Sequence, residues 1–76
     1  MKIHIKLLTG ETVDVDVEPD DKIEQLKEKL HNKTGVPLDQ QRLIFAGKKL
    51  EDGKTLGDHG VKEKDIMHLI ICLRGR

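Results

Sequence analysis

The side chains in this 76-residue sequence that could do chemistry are four histidines, one cysteine and several adjacent carboxylates. His4, His31, His59 and His68 are scattered along the chain, and with Cys72 they give no set at zinc-binding spacing. A thiol nucleophile needs a base beside it, and no local motif supplies Cys72 with a His, Asn or Asp. Asp20-Asp21 and Glu51-Asp52 fall in turn-forming stretches and read as solvated carboxylates, not as an acid–base pair. Gly53-Lys54-Thr55 has the look of the end of a phosphate-binding loop, but the leading glycine would have to stand at position 48, which is Lys48. The residues point to no cofactor, no metal and no catalysis.

The elements that must position these groups follow from periodicity. Met1, Ile3, Ile5 and Leu7 alternate with Lys2, His4 and Lys6, which predicts a strand with one buried face. Leu8-Thr9-Gly10-Glu11 carries turn chemistry, and Val13, Val15 and Val17 alternate into a second strand. Setting Ile3 opposite Val15 brings Lys2 to Asp16 and His4 to Asp14, so opposite charges meet on the outer face. The period then changes: Ile23, Leu26 and Leu30 predict a helix from about 22 to 34, capped by Asp21 or Lys22, with Asp21 and Glu24 at capping-box spacing. Gly35 is placed to end it and Pro37 prevents its resuming. Arg42–Phe45 reads as a short strand, Ala46-Gly47 as a turn and Lys48–Leu50 as a stub. Thr55 and Asp58 cap one helical turn, and Ile66–Leu73 is the last strand. The fold class is α+β: one mixed sheet of about five strands packed on one main helix, a single domain over residues 1–76 with a flexible tail from about 73.

Composition narrows the function. Fourteen basic residues balance fourteen acidic ones, and Phe is the only aromatic type, present once. The basic footprint and stacking platforms of a nucleic-acid binder are missing. No apolar stretch approaches the ~20 residues that span a bilayer, and a lone Cys makes no internal disulfide. A cytosolic or nuclear monomer is the expectation, with neither nucleic acid nor membrane as partner.

The apolar pattern does not balance, however. One helix covers one face of a sheet, which accounts for Ile3, Ile5, Val13, Val15, Val17, Leu43, Leu50, Leu56, Val61, Met67 and Leu69 beside Ile23, Leu26 and Leu30. Ile44, Ile66 and Ile70 point the other way and Leu8 lies in a turn, so all four should be wet. Leu8, Ile44 and Ile70, gathered with His68 and ringed by Lys6, Arg42, Lys48 and Lys49, would make an apolar patch with a polar rim, the mark of a partner surface. A patch of that size implies weak, transient binding.

The run Asp39-Gln40-Gln41-Arg42-Leu43-Ile44-Phe45-Ala46-Gly47-Lys48-Lys49-Leu50-Glu51-Asp52-Gly53 closely resembles the ubiquitin family. So do Leu8-Thr9-Gly10, Val17-Glu18-Pro19, His68-Leu69 and Leu73-Arg74-Gly75, and the likeness runs the full length without gaps. The resemblance implies the β-grasp fold, with the first and last strands adjacent. It also implies that Leu8, Ile44, His68 and Ile70, with Arg42 and Lys48, form a surface docked by small ubiquitin-binding domains and by proteasome receptors. Val36, Ile71 and Leu73 match a second partner surface. Lys6, Lys27, Lys29, Lys33 and Lys48 match chain-acceptor lysines, whereas Glu11 and Glu63 stand where two others would be.

Several positions depart from the family. Its conjugated members finish in two glycines, but here the last residues of the tail are Arg74, Gly75 and Arg76. A bulky, charged side chain on the reacting carbon disfavours conjugation. Cys72 replaces an arginine that the activating enzyme reads, His4 an exposed aromatic and His59 a tyrosine. The expectation is a non-enzymatic, non-conjugated interaction module; the alternative is a covalent modifier with an altered or precursor end.

Overall fold

The β-hairpin is the simplest consequence of the alternation. In the computed structural model, which describes residues 1–72, β1 (Lys2–Leu7) pairs antiparallel with β2 (Thr12–Asp16). Its register is the expected one: Ile3 faces Val15, Lys2 faces Asp16 and His4 faces Asp14. Three further strands complete the sheet: β3 (Gln41–Phe45), β4 (Lys48–Lys49) and β5 (Ile66–Ile71). The order is β2-β1-β5-β3-β4, with β1 parallel to β5 and the other neighbours antiparallel. The first and last strands are therefore adjacent, and β5 is central.

The helix α1 (Ile23–Thr34) buries Ile23, Leu26, Lys27 and Leu30. Of the two caps the sequence offers, Lys22 holds the position, and the Asp21–Glu24 capping box does not form. Lys22 is the extended N-cap residue and its N–H donates to Gln25 Oε1 at 2.8 Å. Asp21 is occupied one turn earlier, where its Oδ2 accepts the Glu18 N–H at 2.9 Å. The helix ends as expected at Gly35, with φ of 80° and its N–H bonded to His31 O.

A tight two-residue turn, Ala46-Gly47, joins β3 to β4 with φ of 54° and 79°. Positive φ at both central positions matches the right-handed twist of the strands it connects, at a steric cost for Ala46. Two 3₁₀ turns, Leu38–Gln40 and Gly57–His59, complete the elements of the described residues. Thr55 and Asp58 bracket the second reciprocally, each N–H donating to the other's side chain at 3.0 and 3.1 Å.

The core lies between α1 and one face of the sheet. Thirteen residues are buried there: Ile3, Ile5, Val15, Val17, Ile23, Leu26, Leu30, Leu43, Leu50, Leu56, Val61, Met67 and Leu69. Val13, expected among them, is only partly buried: it sits at the hairpin end of β2, while Val15 on the same strand is covered.

Candidate functional site

Alternation along β1, β3 and β5 sends every second side chain to the face that α1 leaves open. There the register forms one row across the strands: Thr12, Lys6, His68, Ile44 and Lys49, each opposite the next. Directly opposed residues stand about 5 Å apart, so Ile44 is flanked by His68 on one side and Lys49 on the other. Ile70 is opposite Arg42. Leu8 follows the Leu7–Leu69 pair, at the level of Ile70, and is 78% exposed. Pattern reasoning had to assume that β3 and β5 are neighbours; the register supplies it.

Two expectations need correction. Ile44 and Ile70 are half-buried, not wet: each lies on an inner strand, Ile44 between His68 and Lys49 and Ile70 opposite Arg42. Ile66, at the start of β5, is exposed as expected. Lys48 is exposed but pairs with Phe45, so the ammonium group beside Ile44 belongs to Lys49.

Around Ile44 and Ile70 the charge is one-sided. Lys6, Arg42 and Lys49 on this face are exposed, as is Lys48 at the β3–β4 turn, and none belongs to an ion pair among the described residues. The acidic residues of this face lie at its β2 edge, where Asp16 stands opposite Lys2 and Asp14 Oδ1 lies 2.6 Å from His4 Nδ1. The result is a half-buried aliphatic centre with a cationic border, able to hold an apolar side chain and attract acidic neighbours.

The second expected surface is only partly described. Val36 is half-buried and its carbonyl accepts from Gln41 Nε2 at 3.0 Å, while Gln41 pairs with Ile71. Val36 and Ile71 thus share one end of the sheet. Leu73 of that surface lies outside the described residues, as do Arg74, Gly75 and Arg76 of the tail.

The five candidate acceptor lysines are not equivalent. Lys6, Lys33 and Lys48 are exposed. Lys29 Nζ donates to Asp16 O at 2.8 Å and approaches Asp21 at 3.4 Å. Lys27 is buried, its Nζ 2.7 Å from Asp52 Oδ1. An amine held in this way must leave its partner before it can attack an acyl group, so Lys27 is the least available of the five.

Sequence reading missed Gln41. Its side chain is 5% exposed, and Nε2 donates to the carbonyls of Lys27 at 2.9 Å and Val36 at 3.0 Å, tying β3 to α1 and the segment after it. The signal was present: Gln41 shares the inward parity of Leu43.

His59 Nε2 accepts the Glu51 N–H at 3.3 Å, so imidazole closes this loop where a tyrosine was expected from the resemblance. No three His, Cys, Asp or Glu side chains gather to hold a metal ion among the described residues, and no described helix is long and apolar enough to cross a membrane.

Comparison with known proteins agrees with this architecture. A model of the ubiquitin family matches residues 3–74. Ubiquitin-like protein NEDD8 of Dictyostelium discoideum is 41% identical over 75 residues, covering 99% of this chain and 97% of that protein. Ubiquitin-like protein 1 of Schizosaccharomyces pombe is 40% identical, with 99% and 96% covered. Ubiquitin-like protein 4A of Oryctolagus cuniculus is 35% identical over 71 residues, which are 93% of this chain but 45% of that longer protein.

Proposed function

This chain belongs to the ubiquitin family, and from that premise we propose that it is a ubiquitin-like covalent modifier whose open sheet face is docked by ubiquitin-binding domains. The register that gathers Ile44, His68 and Ile70 beside unpaired cations carries the docking half of this reading. Proteasome receptors are a partner class suited to the same face, in the cytosol or nucleus.

The modifier half departs from the sequence-based preference for a non-conjugated module. The relatives favour the change. This chain is 40–41% identical to NEDD8-like and ubiquitin-like proteins of which it covers 96–97%. Ubiquitin-like protein 4A, of which it covers under half, is matched at 35%.

The test is a reaction with ATP and a ubiquitin-family activating enzyme. The expected product is a thioester on the enzyme that a thiol reductant removes. If no thioester forms while a ubiquitin-associated domain still binds, the chain is an interaction module and the covalent half is wrong.

A further inference from the structure

Protonation sets the histidines of this chain apart. His31 Nδ1 stands 3.0 Å from Val36 O and must donate, because a carbonyl only accepts. His4 Nδ1 meets the Asp14 carboxylate at 2.6 Å, a contact that a charged ring keeps. His59 is the reverse. The Glu51 backbone N–H only donates, so Nε2, 3.3 Å away, must carry no proton. An imidazolium has an N–H on both nitrogens, and two donors would then face each other.

That bond holds a stretch with few others. Leu50 is fixed in the core with its N–H on Leu43 O at 2.9 Å, and Lys54 O accepts the Ile23 N–H at 3.0 Å. Between these anchors, two polar contacts among the described residues tie Glu51–Gly53 to the rest of the fold. One is Glu51 N–H to His59, the other Asp52 to Lys27 Nζ at 2.7 Å. Charge near the ring is mostly negative. Asp58 adjoins it, Glu51 and Asp52 lie on the loop opposite, and the packed turn before α1 adds Glu18, Asp20 and Asp21. That turn is joined to this one through Pro19 O on the Gly57 N–H at 2.8 Å and Asp21 O on the Leu56 N–H at 2.9 Å. The cations are Lys54 near Asp58, Lys22 bridged to Thr55, Lys29 on Asp21 and Lys27 on Asp52. The surroundings thus invite a proton that the closed geometry refuses.

We propose that His59 is a proton-operated latch on the Glu51–Lys54 loop. The neutral ring holds the loop by the Glu51 N–H; protonation releases the loop and Asp52 with it, baring the buried Lys27 amine. The open loop binds one proton more than the closed one, so opening is favoured as pH falls through the imidazole range, about 8 to 5. The latch stands apart from the modifier reading, and only its bearing on Lys27 as an acceptor rests on that reading.

The experiment follows the isotope-labelled full chain by NMR from about pH 7.5 to 5. Protection of the Glu51 amide from solvent exchange should fall about two- to tenfold as the His59 ring titrates, while the Met67 and Leu69 amides stay protected. In parallel, acetylation of Lys27 by an N-hydroxysuccinimide ester is read as a ratio to exposed Lys33, which cancels the general loss of amine reactivity in acid. That ratio should rise by a similar factor. His59→Tyr offers an acceptor that does not titrate in this range and should abolish both changes; His59→Phe offers none and should leave Glu51 unprotected throughout. Protection that ignores the His59 titration, a step that persists in His59→Tyr, or an unchanged Lys27 ratio overturns the proposal. Neither Ile44 nor an activating enzyme enters the test, so its failure leaves the open-face and modifier readings standing.

Discussion

The two faces of this sheet are made by the same strands and the same alternation, yet they end in different physical states. On the covered face, α1 closes over Ile3, Ile5, Leu43, Met67 and Leu69, each at most 1% exposed. On the open face, Ile44 and Ile70 are shielded only by cross-strand neighbours and stay half-buried. What differs is the presence of a covering layer. A single helix shields one side, so the apolar side chains opposite it are stabilised in full only when another molecule arrives.

That contrast is sharpest in single truncations. Leu69→Ala should cost about 2–5 kcal/mol in urea unfolding, since it empties a site beneath the helix. If it unfolds no more easily than wild type, the covered face is misassigned. Gln41→Ala should come next, at roughly 1–3 kcal/mol, by leaving the carbonyls of Lys27 and Val36 unpaired; slowed loss of its effect in a Gln41→Glu variant is not expected, because the carboxylate offers no donor. On the open face, Ile44→Ala should cost only about 1 kcal/mol of stability while weakening a ubiquitin-binding domain about tenfold or more, which calorimetry would show.

Smaller effects probe features that belong to neither face. Ala46→Gly relieves a positive φ in the β3–β4 turn and should gain roughly 0.5–1 kcal/mol in thermal unfolding, with partner affinity unchanged. Asp58 gives the least change. Hydrogen bonding from the Thr55 backbone N–H first, then from its side chain, holds the Asp58 carboxyl below its ordinary value of 3.8. A depressed folded-state value adds stability above 3.8 that is lost as pH falls through the folded-state value. Asp58→Asn should flatten that part of the acid-unfolding profile.

Much of this was legible in the residues. The hairpin register followed from matching Ile3 to Val15, because a one-residue slip would have exposed every valine. The helix end at Gly35 and the bracketed turn at Thr55–Asp58 were local, and local chemistry fixed them. The pairing of β5 with both β1 and β3 was not local, so alternation could show that Ile44 and Ile70 share a face parity but not that they meet. The helix start left Asp21 and Lys22 both open as caps, and the choice of Lys22 follows from the Glu18 N–H occupying Asp21. Lys27 shows the limit most clearly: a lysine reads as exposed from its type, yet the fold buries its stem beside Leu26 and matches its charge with Asp52, twenty-five residues on.

Docking on the open face is tested most directly by a residue-by-residue NMR titration of the labelled chain with a ubiquitin-associated domain. The expected perturbations centre on Leu8, Ile44, His68 and Ile70 and fade towards α1. Saturating partner that moves none of these four, or moves only residues of α1, contradicts it.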